Sequence, residues 1–146
     1  MSQVDRYTDN DDGTVTDNKT GLIWLKNANY FGKQNWEDAM QSAVNLADGQ
    51  CELNDGSKSG DWRLPTKNEW ETMVDKKYNW PALSNAAGTD KWKERDIFSD
   101  VRSYSYWSST PYIMDDAWYV TLNYGNMNNV GKIHTRYVWP VRDIKK

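Results

Sequence analysis

The pattern of apolar and polar positions predicts three short β segments at the start of the chain. Residues 6–8 and 14–17 flank a polar turn that contains Asp12 and Gly13. An Asp-Gly pair is a strong hairpin signal, because glycine accepts positive φ without strain. The apolar run at residues 22–25 follows a second polar turn and has the length and composition of a buried strand. The start of the chain is therefore predicted to form a hairpin and a third strand.

Two segments in the middle of the chain have helix patterns. In residues 36–47, apolar positions recur every three or four residues behind Asn35, a residue type that favours the N-cap. Thr66 and Glu69 have the spacing of a capping box, in which each side chain accepts a hydrogen bond from a free backbone N–H. Arg63, just before this box, is expected to be structural and to pair with a carboxylate or with backbone carbonyls.

The last third of the chain is predicted to be β structure again. Strands are expected at residues 106–109, 117–123 and 132–142, with a turn region at 124–131. Alternation along the second of these strands puts Trp118, Val120 and Leu122 on one side, and Trp118 is expected to be buried. Strands at both ends around two helices favour one α+β domain, residues 1–146, with an antiparallel sheet.

Composition excludes several classes of protein. The 146 residues carry a formal net charge of −3, which argues against nucleic acid as a partner. No apolar run approaches the roughly 20 residues of a membrane helix, so membrane insertion is not expected. The first residues lack the basic and apolar regions of a signal peptide. Either the protein is not exported by that route or a leader is missing from this chain.

Few residues in the sequence are candidates for a catalytic or metal site. His134 is the single histidine and Cys51 the single cysteine, which excludes a multi-cysteine zinc site and leaves any catalytic triad to depend on His134 alone. Asp115 and Asp116 are adjacent, and neighbours in a strand point to opposite faces. The acidic turn at residues 9–13 lacks the ligand spacing of an EF-hand loop. We therefore expect no enzymatic activity, no cofactor and no metal.

Four pieces of the sequence, in order, resemble one family. They are YTDNDDGTVTDNKTGLIW, the first helix with GQCELNDGSKSGDWRLPTKNEWE, the YWSST strand, and the terminal AWYV and YVWPVR pieces. Together they resemble the bacterial domain of unknown function 1566, also known as the C-terminal domain of collagen-like adhesins, from Tyr7 to Arg142. The resemblance implies a C-type-lectin-like fold, in which two helices pack on small antiparallel sheets and the N- and C-terminal strands are adjacent.

Other branches of that fold help to narrow the function. The RLPTKNEWE stretch also resembles formylglycine-generating enzymes, whose activity depends on paired cysteines in the C-terminal half, where this chain has none. The Glu-Pro-Asn and Gln-Pro-Asp loops of calcium-dependent lectins are absent as well. Variable proteins of diversity-generating retroelements are similar too, and they place their changeable residues in the C-terminal third. This last resemblance implies a constant framework that displays a diversified recognition surface.

The last third also has the composition of a contact surface. Tyr, Asn, Ser and Gly dominate between Tyr104 and Tyr137, and these residue types give antibody paratopes rigid contact area and adaptable hydrogen bonds. We therefore predict a non-catalytic module that binds a protein partner without metal. The predicted ligand-binding residues are Tyr112, Ile113, Asp115, Asp116, Asn123, Tyr124, Asn126, Asn128, Asn129, Ile133, His134 and Arg136.

Two alternatives stay open. One is an adhesin or lectin domain that binds glycans or acidic polysaccharides, with Trp80 and Trp92 as candidates for stacking on sugar rings. The other is an enzyme related to the formylglycine-generating proteins, which the missing cysteines disfavour. A location on a cell surface or a virion is favoured for the binding module.

Overall fold

The computed structural model describes residues 5–144. This part of the chain contains two helices and ten short strands. The helices are α1 (Trp36–Val44) and α2 (Lys67–Met73). The first five strands are β1 (Tyr7–Asp9), β2 (Thr14–Asp17), β3 (Ile23–Leu25), β4 (Lys33–Gln34) and β5 (Trp62–Arg63). The other five are β6 (Ser105–Tyr112), β7 (Asp116–Thr121), β8 (Asn126–Gly131), β9 (Arg136–Tyr137) and β10 (Val141–Arg142).

The first sheet joins the two ends of the chain. Its strand order is β1-β2-β3-β10-β5, and every neighbouring pair is antiparallel. The last strand, β10, therefore lies between β3 and β5, with Val141 opposite Trp24 on one side and Arg63 on the other. The predicted adjacency of the N- and C-terminal strands is confirmed.

The second sheet has the order β4-β9-β6-β7-β8 and carries most of the last third of the chain. Its pairs are antiparallel except β6–β9. Together the two sheets and two helices confirm the α+β class. The turn region expected at residues 124–131 is wrong, because Asn126–Gly131 forms β8 in full register with β7. Asparagine disfavours strands by itself, but pairing with β7 holds this segment as an edge strand.

The single strand expected at residues 132–142 is also wrong. This segment divides into β9 in the second sheet and β10 in the first. Pro140 lies between the two strands, where it needs no ladder donor. Its carbonyl oxygen accepts a hydrogen bond from the Leu25 N–H at 3.1 Å.

Both helices begin where their capping residues predict. The Asn35 side chain accepts from the backbone N–H of Asp38, and α1 ends at Val44 rather than at residue 47. The capping box of Thr66 and Glu69 is complete. α1 and α2 pack on opposite faces of the second sheet, since neighbouring β6 residues point to opposite sides. Trp107 clusters with the alanines of α1, and Tyr106 with Trp70 of α2.

Aromatic rings fill the main core between the sheets. Trp24, Trp70 and Trp139 are fully buried, and their ring centroids lie 5.1–5.8 Å apart. The indole N–H of Trp139 donates to the Leu25 carbonyl oxygen, and that of Trp70 to the Trp107 carbonyl oxygen. Because these rings touch one another, both sheets and α2 share one core.

Trp118 is only half-buried, so its predicted burial is wrong. It shares a face of β7 with the buried Val120, as the alternation predicts. However, it lies near the end of the strand, where the cover is the side chain of Lys67, whose Nζ is 4.6 Å from the ring centroid.

Candidate binding surface

One face of the second sheet is only partly covered by α1. Strand register places one row across the five strands on this side: Gln34, Arg136, Ser105, Thr121 and Asn126. The neighbouring row on the same side contains Trp107, Tyr119 and Asn128. Trp107 is buried under α1, whereas Asn128 on the edge strand β8 is exposed. We call the uncovered part of this side the open sheet face; it consists of Ser105, Tyr119, Thr121, Asn126, Asn128 and Arg136.

Aliphatic side chains project from one end of this sheet. The β6–β7 turn carries Ile113 and Met114, which are 71% and 90% exposed, and the β8–β9 turn carries Ile133, which is 85% exposed. The two turns are joined because the Lys132 N–H donates to the Asp115 carbonyl oxygen at 2.7 Å, and Lys132 Nζ donates to the Met114 carbonyl oxygen at 3.2 Å. We call this end, residues 112–116 and 131–134, the hairpin end.

The other end of the sheet carries an exposed aromatic pair. The rings of Trp80 and Tyr124, each about half exposed, meet edge to face with centroids 5.9 Å apart. The backbone N–H of Trp80 donates to the Asn123 carbonyl oxygen at 2.7 Å. Trp92, the other candidate for sugar stacking, is buried and therefore offers no ring face to a ligand.

The twelve predicted binding residues are all at least partly exposed, but they do not form one patch. The open sheet face brings together Asn126, Asn128 and Arg136. The hairpin end holds Tyr112, Ile113, Asp115, Asp116, Ile133 and His134, and the opposite end holds Asn123 and Tyr124. Asn129 points to the other face of β8, beside Trp118. The two ends are separated by the length of β7, about 17 Å at roughly 3.4 Å per residue.

Sequence reasoning missed part of the open sheet face. Tyr119 and Thr121 lie on it, and the alternation of β7 could have found them, since they fall opposite the buried Val120. Gln34 borders the face from β4, opposite Arg136 in β9. No local signal in the sequence connects Gln34 with the last third of the chain.

Cations cover several aromatic rings around this sheet. A Lys or Arg side chain lies 4.5–5.3 Å from each of four ring centroids. The pairs are Lys33 with Tyr137, Lys67 with Trp118, Lys132 with Trp36, and Arg136 with Tyr119. Such contacts are favourable, and on these four rings they occupy a flat face that a sugar would otherwise use.

The family of this chain follows from its sequence. The sequence model of the Lcl C-terminal domain matches residues 13–142. The chain belongs to the Lcl C-terminal domain family. This match points to an adhesin-like or surface-associated module, in a family that is not known as catalytic. No curated protein matches the chain.

In this Lcl C-terminal domain, the two residues considered for catalysis lie in unsuitable surroundings. Within residues 5–144, the exposed imidazole of His134 makes no hydrogen bond or ion pair, so no neighbouring group orients it. Burial raises the pKa of the Cys51 thiol to about 12, and the charge of Glu52 adds to the rise. Cys51 is therefore a neutral thiol at physiological pH, which is a poor nucleophile.

Two further features are absent from the described part of the domain. Over residues 5–144, no group of three or more His, Cys, Asp or Glu side chains is arranged to hold a metal ion. In that range neither helix has the length and apolar composition to cross a bilayer.

Proposed function

We propose that this chain is a C-type-lectin-like binding module that recognises a protein partner, without metal, through surfaces built by its last third. The observation that carries the proposal is the hairpin end. There, Ile113, Met114 and Ile133 project from tightly hydrogen-bonded turns into solvent. Exposure of large aliphatic side chains to water is unfavourable, and such exposed groups commonly mark protein contacts.

The surroundings of these residues support a protein as the partner. Tyrosine and asparagine each occupy three of the positions on the open sheet face and its ends, and both residue types are common in paratopes. They are mounted on strands whose opposite side packs against the tryptophan core. A rigid mounting lowers the entropy lost on binding, so the surface needs little rearrangement to dock.

We extend the proposal to a diversified recognition surface, which the exposure of the predicted binding residues supports. None of the twelve predicted binding residues is buried, so substitutions there would remove few core contacts. The C-type-lectin-like assignment is supported by the paired terminal strands, the two helices and the long irregular segment between α2 and β6. A near-copy of the DNA that encodes residues 107–142, beside a reverse-transcriptase gene, would test the diversification directly.

Binding of glycans is a second candidate, favoured by one observation. The pair of Trp80 and Tyr124 presents half-exposed rings at the end of the sheet away from Ile133, and exposed aromatic rings can stack on sugars. This site would bind independently of the hairpin end, because β7 separates the two.

Parallel binding to a protein array and a glycan array distinguishes the two candidates. The labelled domain is compared with Ile133→Asp, with Trp80→Ala and with Lys19→Ala, a control in the exposed β2–β3 turn of the first sheet. We expect binding to discrete proteins that Ile133→Asp abolishes and Lys19→Ala leaves unchanged. Binding confined to glycans and lost in Trp80→Ala would instead establish the second candidate and overturn the first.

A further inference from the structure

The strand β8 is a long free edge of the second sheet. Its outer side pairs with no strand within residues 5–144. Its six residues include no charged residue and no proline, although these are the residues with which proteins usually protect an edge strand. An edge of this kind is open to a further extended backbone.

The other three sheet edges are short and protected. The strands β1, β4 and β5 have three, two and two residues, and each carries a charged side chain: Asp9, Lys33 and Arg63. A loop also covers part of β1, because the Ala86 carbonyl oxygen accepts a hydrogen bond from the Tyr7 N–H at 3.0 Å. Among the described strands, β8 is therefore the edge best suited to accept another strand.

The hydrogen bonds of β7 determine which residues of β8 face outward. Just after β7, the Leu122 N–H donates to the Tyr104 carbonyl oxygen at 2.8 Å. Because an antiparallel strand bonds to its two neighbours at alternate residues, the odd-numbered residues of β7 bond to β8. The hydrogen bond from the Lys132 N–H to the Asp115 carbonyl oxygen continues this alternation. The β8 residues whose backbone groups point away from the sheet are therefore Met127, Asn129 and Gly131.

Several of these outward groups are available to a ligand. The N–H and carbonyl of Met127 and the carbonyl of Asn129 make no hydrogen bond within the described residues. The Asn129 N–H donates to the side-chain oxygen of Asn128 at 2.8 Å, which is an exposed contact that an incoming carbonyl can replace. The Gly131 carbonyl oxygen already accepts from the His134 N–H at 3.0 Å.

The two sides of β8 differ in polarity. On the α2 side, Met127 packs partly on the main core, and the half-buried Trp118 lies opposite Asn129. The opposite side carries the exposed amides of Asn126 and Asn128. Since cross-strand side-chain pairs stabilise a sheet, a strand with apolar residues on one face and polar residues on the other matches this edge.

We propose that β8 binds an extended segment of the protein partner as an added strand of the second sheet. The inference rests on the proposed function and names the form in which the partner is recognised. A polypeptide backbone repeats its N–H and C=O groups at the spacing of β8, whereas a glycan has no such repeat. Ile133 lies two residues beyond β8, so one segment can pair with the edge and cover this exposed side chain.

A second copy of the chain fits the same edge less well. A two-fold pair centred on Asn128 or Asn129 would set Met127 against Asn129 or Gly131 of the other copy, so no two apolar side chains would meet. A pair shifted further along β8 would need the Gly131 carbonyl oxygen, which already has a donor. A partner segment with apolar residues opposite Met127 has neither disadvantage.

The test is an NMR titration of the ¹⁵N-labelled chain with the peptide acetyl-Thr-Val-Thr-Val-Thr-amide. Two further peptides carry N-methyl groups, one at both valines and the other at the second and third threonines. We expect saturable shifts that are larger for the amides of Met127, Asn129 and Gly131 than for the residues between them. One methylated peptide should bind roughly tenfold more weakly, because only alternate nitrogens face β8 and two hydrogen bonds are lost. Equal weakening by both methylated peptides, or shifts away from β8, would overturn the proposal without any variant being made.

Variants of β8 sharpen the result. Asn129→Pro removes an N–H that lies outside the ladder with β7, so it should abolish peptide binding while the far-UV circular dichroism spectrum is kept. Asn128→Ala frees the Asn129 N–H and should strengthen binding about twofold. Lys19→Ala, in the first sheet, should change nothing. Weaker binding by Asn128→Ala would show that its side chain, and not the backbone of β8, holds the peptide, and would overturn the proposal.

Two further outcomes separate this inference from its alternatives. A dimer in sedimentation velocity that Asn129→Pro converts to a monomer would assign the edge to a second copy and overturn the proposal. If the peptide titration fails while protein-array binding still depends on Ile133, the added strand is wrong and the proposed function stands.

Discussion

At the scale of single residues, the pair of Arg63 and Glu69 explains why the second helix starts where it does. The guanidinium donates to both carboxylate oxygens, at 2.6 and 2.8 Å, and the same carboxylate accepts from the Thr66 N–H at 2.8 Å. The expectation that Arg63 pairs with a carboxylate is confirmed. One acidic side chain thus closes the capping box and ties α2 to β5.

Glu69→Gln should lower stability in a pH-dependent manner. Burial opposes ionisation of Glu69, but the hydrogen bonds from Arg63 and Thr66 outweigh it and hold the pKa of the carboxyl below its ordinary value of 4.5. The stabilisation is therefore complete above that ordinary value and is lost as the pH falls through the lower folded pKa. Because the pair is partly exposed, we expect about 1–2 kcal/mol at pH 7. Urea unfolding at pH 7 and pH 3 measures the difference.

Glu71→Gln is the matched control for that substitution. Glu71 lies on the same helix, and its contact with Lys67 is exposed, with 3.4 Å between Nζ and Oε1. We expect no more than about 0.5 kcal/mol at either pH, as for most surface ion pairs. A loss at Glu69 that is equally large at pH 3 would show that charge is not the cause.

Trp107 and Trp118 provide a second comparison between residues. Both lie in the second sheet, but Trp107 is fully buried and its indole N–H donates to the Gln34 carbonyl oxygen at 2.7 Å. Trp107→Ala should cost about 3–5 kcal/mol, as for other buried aromatic residues. Trp118→Ala should cost less, about 1–2 kcal/mol, since part of the side chain already faces solvent. Thermal unfolding that ranks the two variants the other way would contradict this assignment.

At the scale of elements, sequence signals worked where the stabilising contacts are local. Asn35 and Thr66 cap helices through hydrogen bonds to residues three positions away. The positions where the two helices begin could therefore be predicted from the sequence. The strand β8 could not, because its asparagines disfavour strands and its order comes from pairing with β7. The alternation of β7 predicted the correct face for Trp118 but not how far its side chain is buried, because burial depends on how far α2 extends over the sheet.

Gly125 is the position in the β7–β8 turn that tolerates substitution least. Its φ is +81°, and a Cβ there would lie 3.1 Å from the Ala82 Cβ and 3.3 Å from the Val74 Cβ. Gly125→Ala should therefore combine backbone strain of about 1–2 kcal/mol with overpacking of about 1–3 kcal/mol. Denaturant unfolding measures the sum.

Gly56→Ala separates the two contributions to that cost. Gly56 also has a positive φ, +75°, but a Cβ there would meet no atom within 4 Å. We expect this variant to lose only the backbone part, about 1–2 kcal/mol. Equal losses at the two positions would mean that the turn moves away from Ala82 at little cost.

At the scale of the whole molecule, the open sheet face depends on long-range topology. Arg136 reaches this face through β9, which pairs with β4 and brings Gln34 opposite it across more than 100 residues of sequence. Sequence reasoning found Arg136 and missed Gln34, because no periodicity connects strands that are two residues long. It also placed Tyr112 and Tyr124 in one surface, although β7 holds them at opposite ends.

The first sheet makes folding of the two ends of the chain interdependent. Arg142 in β10 donates from Nε to the buried carboxylate of Asp55, in the segment between α1 and β5, at 3.2 Å. The same strand pairs with β3 and β5, and Trp139 just before it packs on Trp24. We therefore expect one cooperative transition, with coincident midpoints by tryptophan fluorescence and far-UV circular dichroism.

Arg142→Met should lower the midpoints of both probes together, by about 3–5 kcal/mol in stability, because it leaves the Asp55 carboxylate buried without its cation. Adding Asp55→Asn should restore part of the loss, since the neutral amide removes the unpaired charge while keeping an acceptor for Ser57, whose hydroxyl now donates to Asp55 at 2.7 Å. If Arg142→Met instead lowered the circular dichroism midpoint alone, the two sheets would unfold separately. The shared core would then not be the unit of stability that the packing of Trp139 implies.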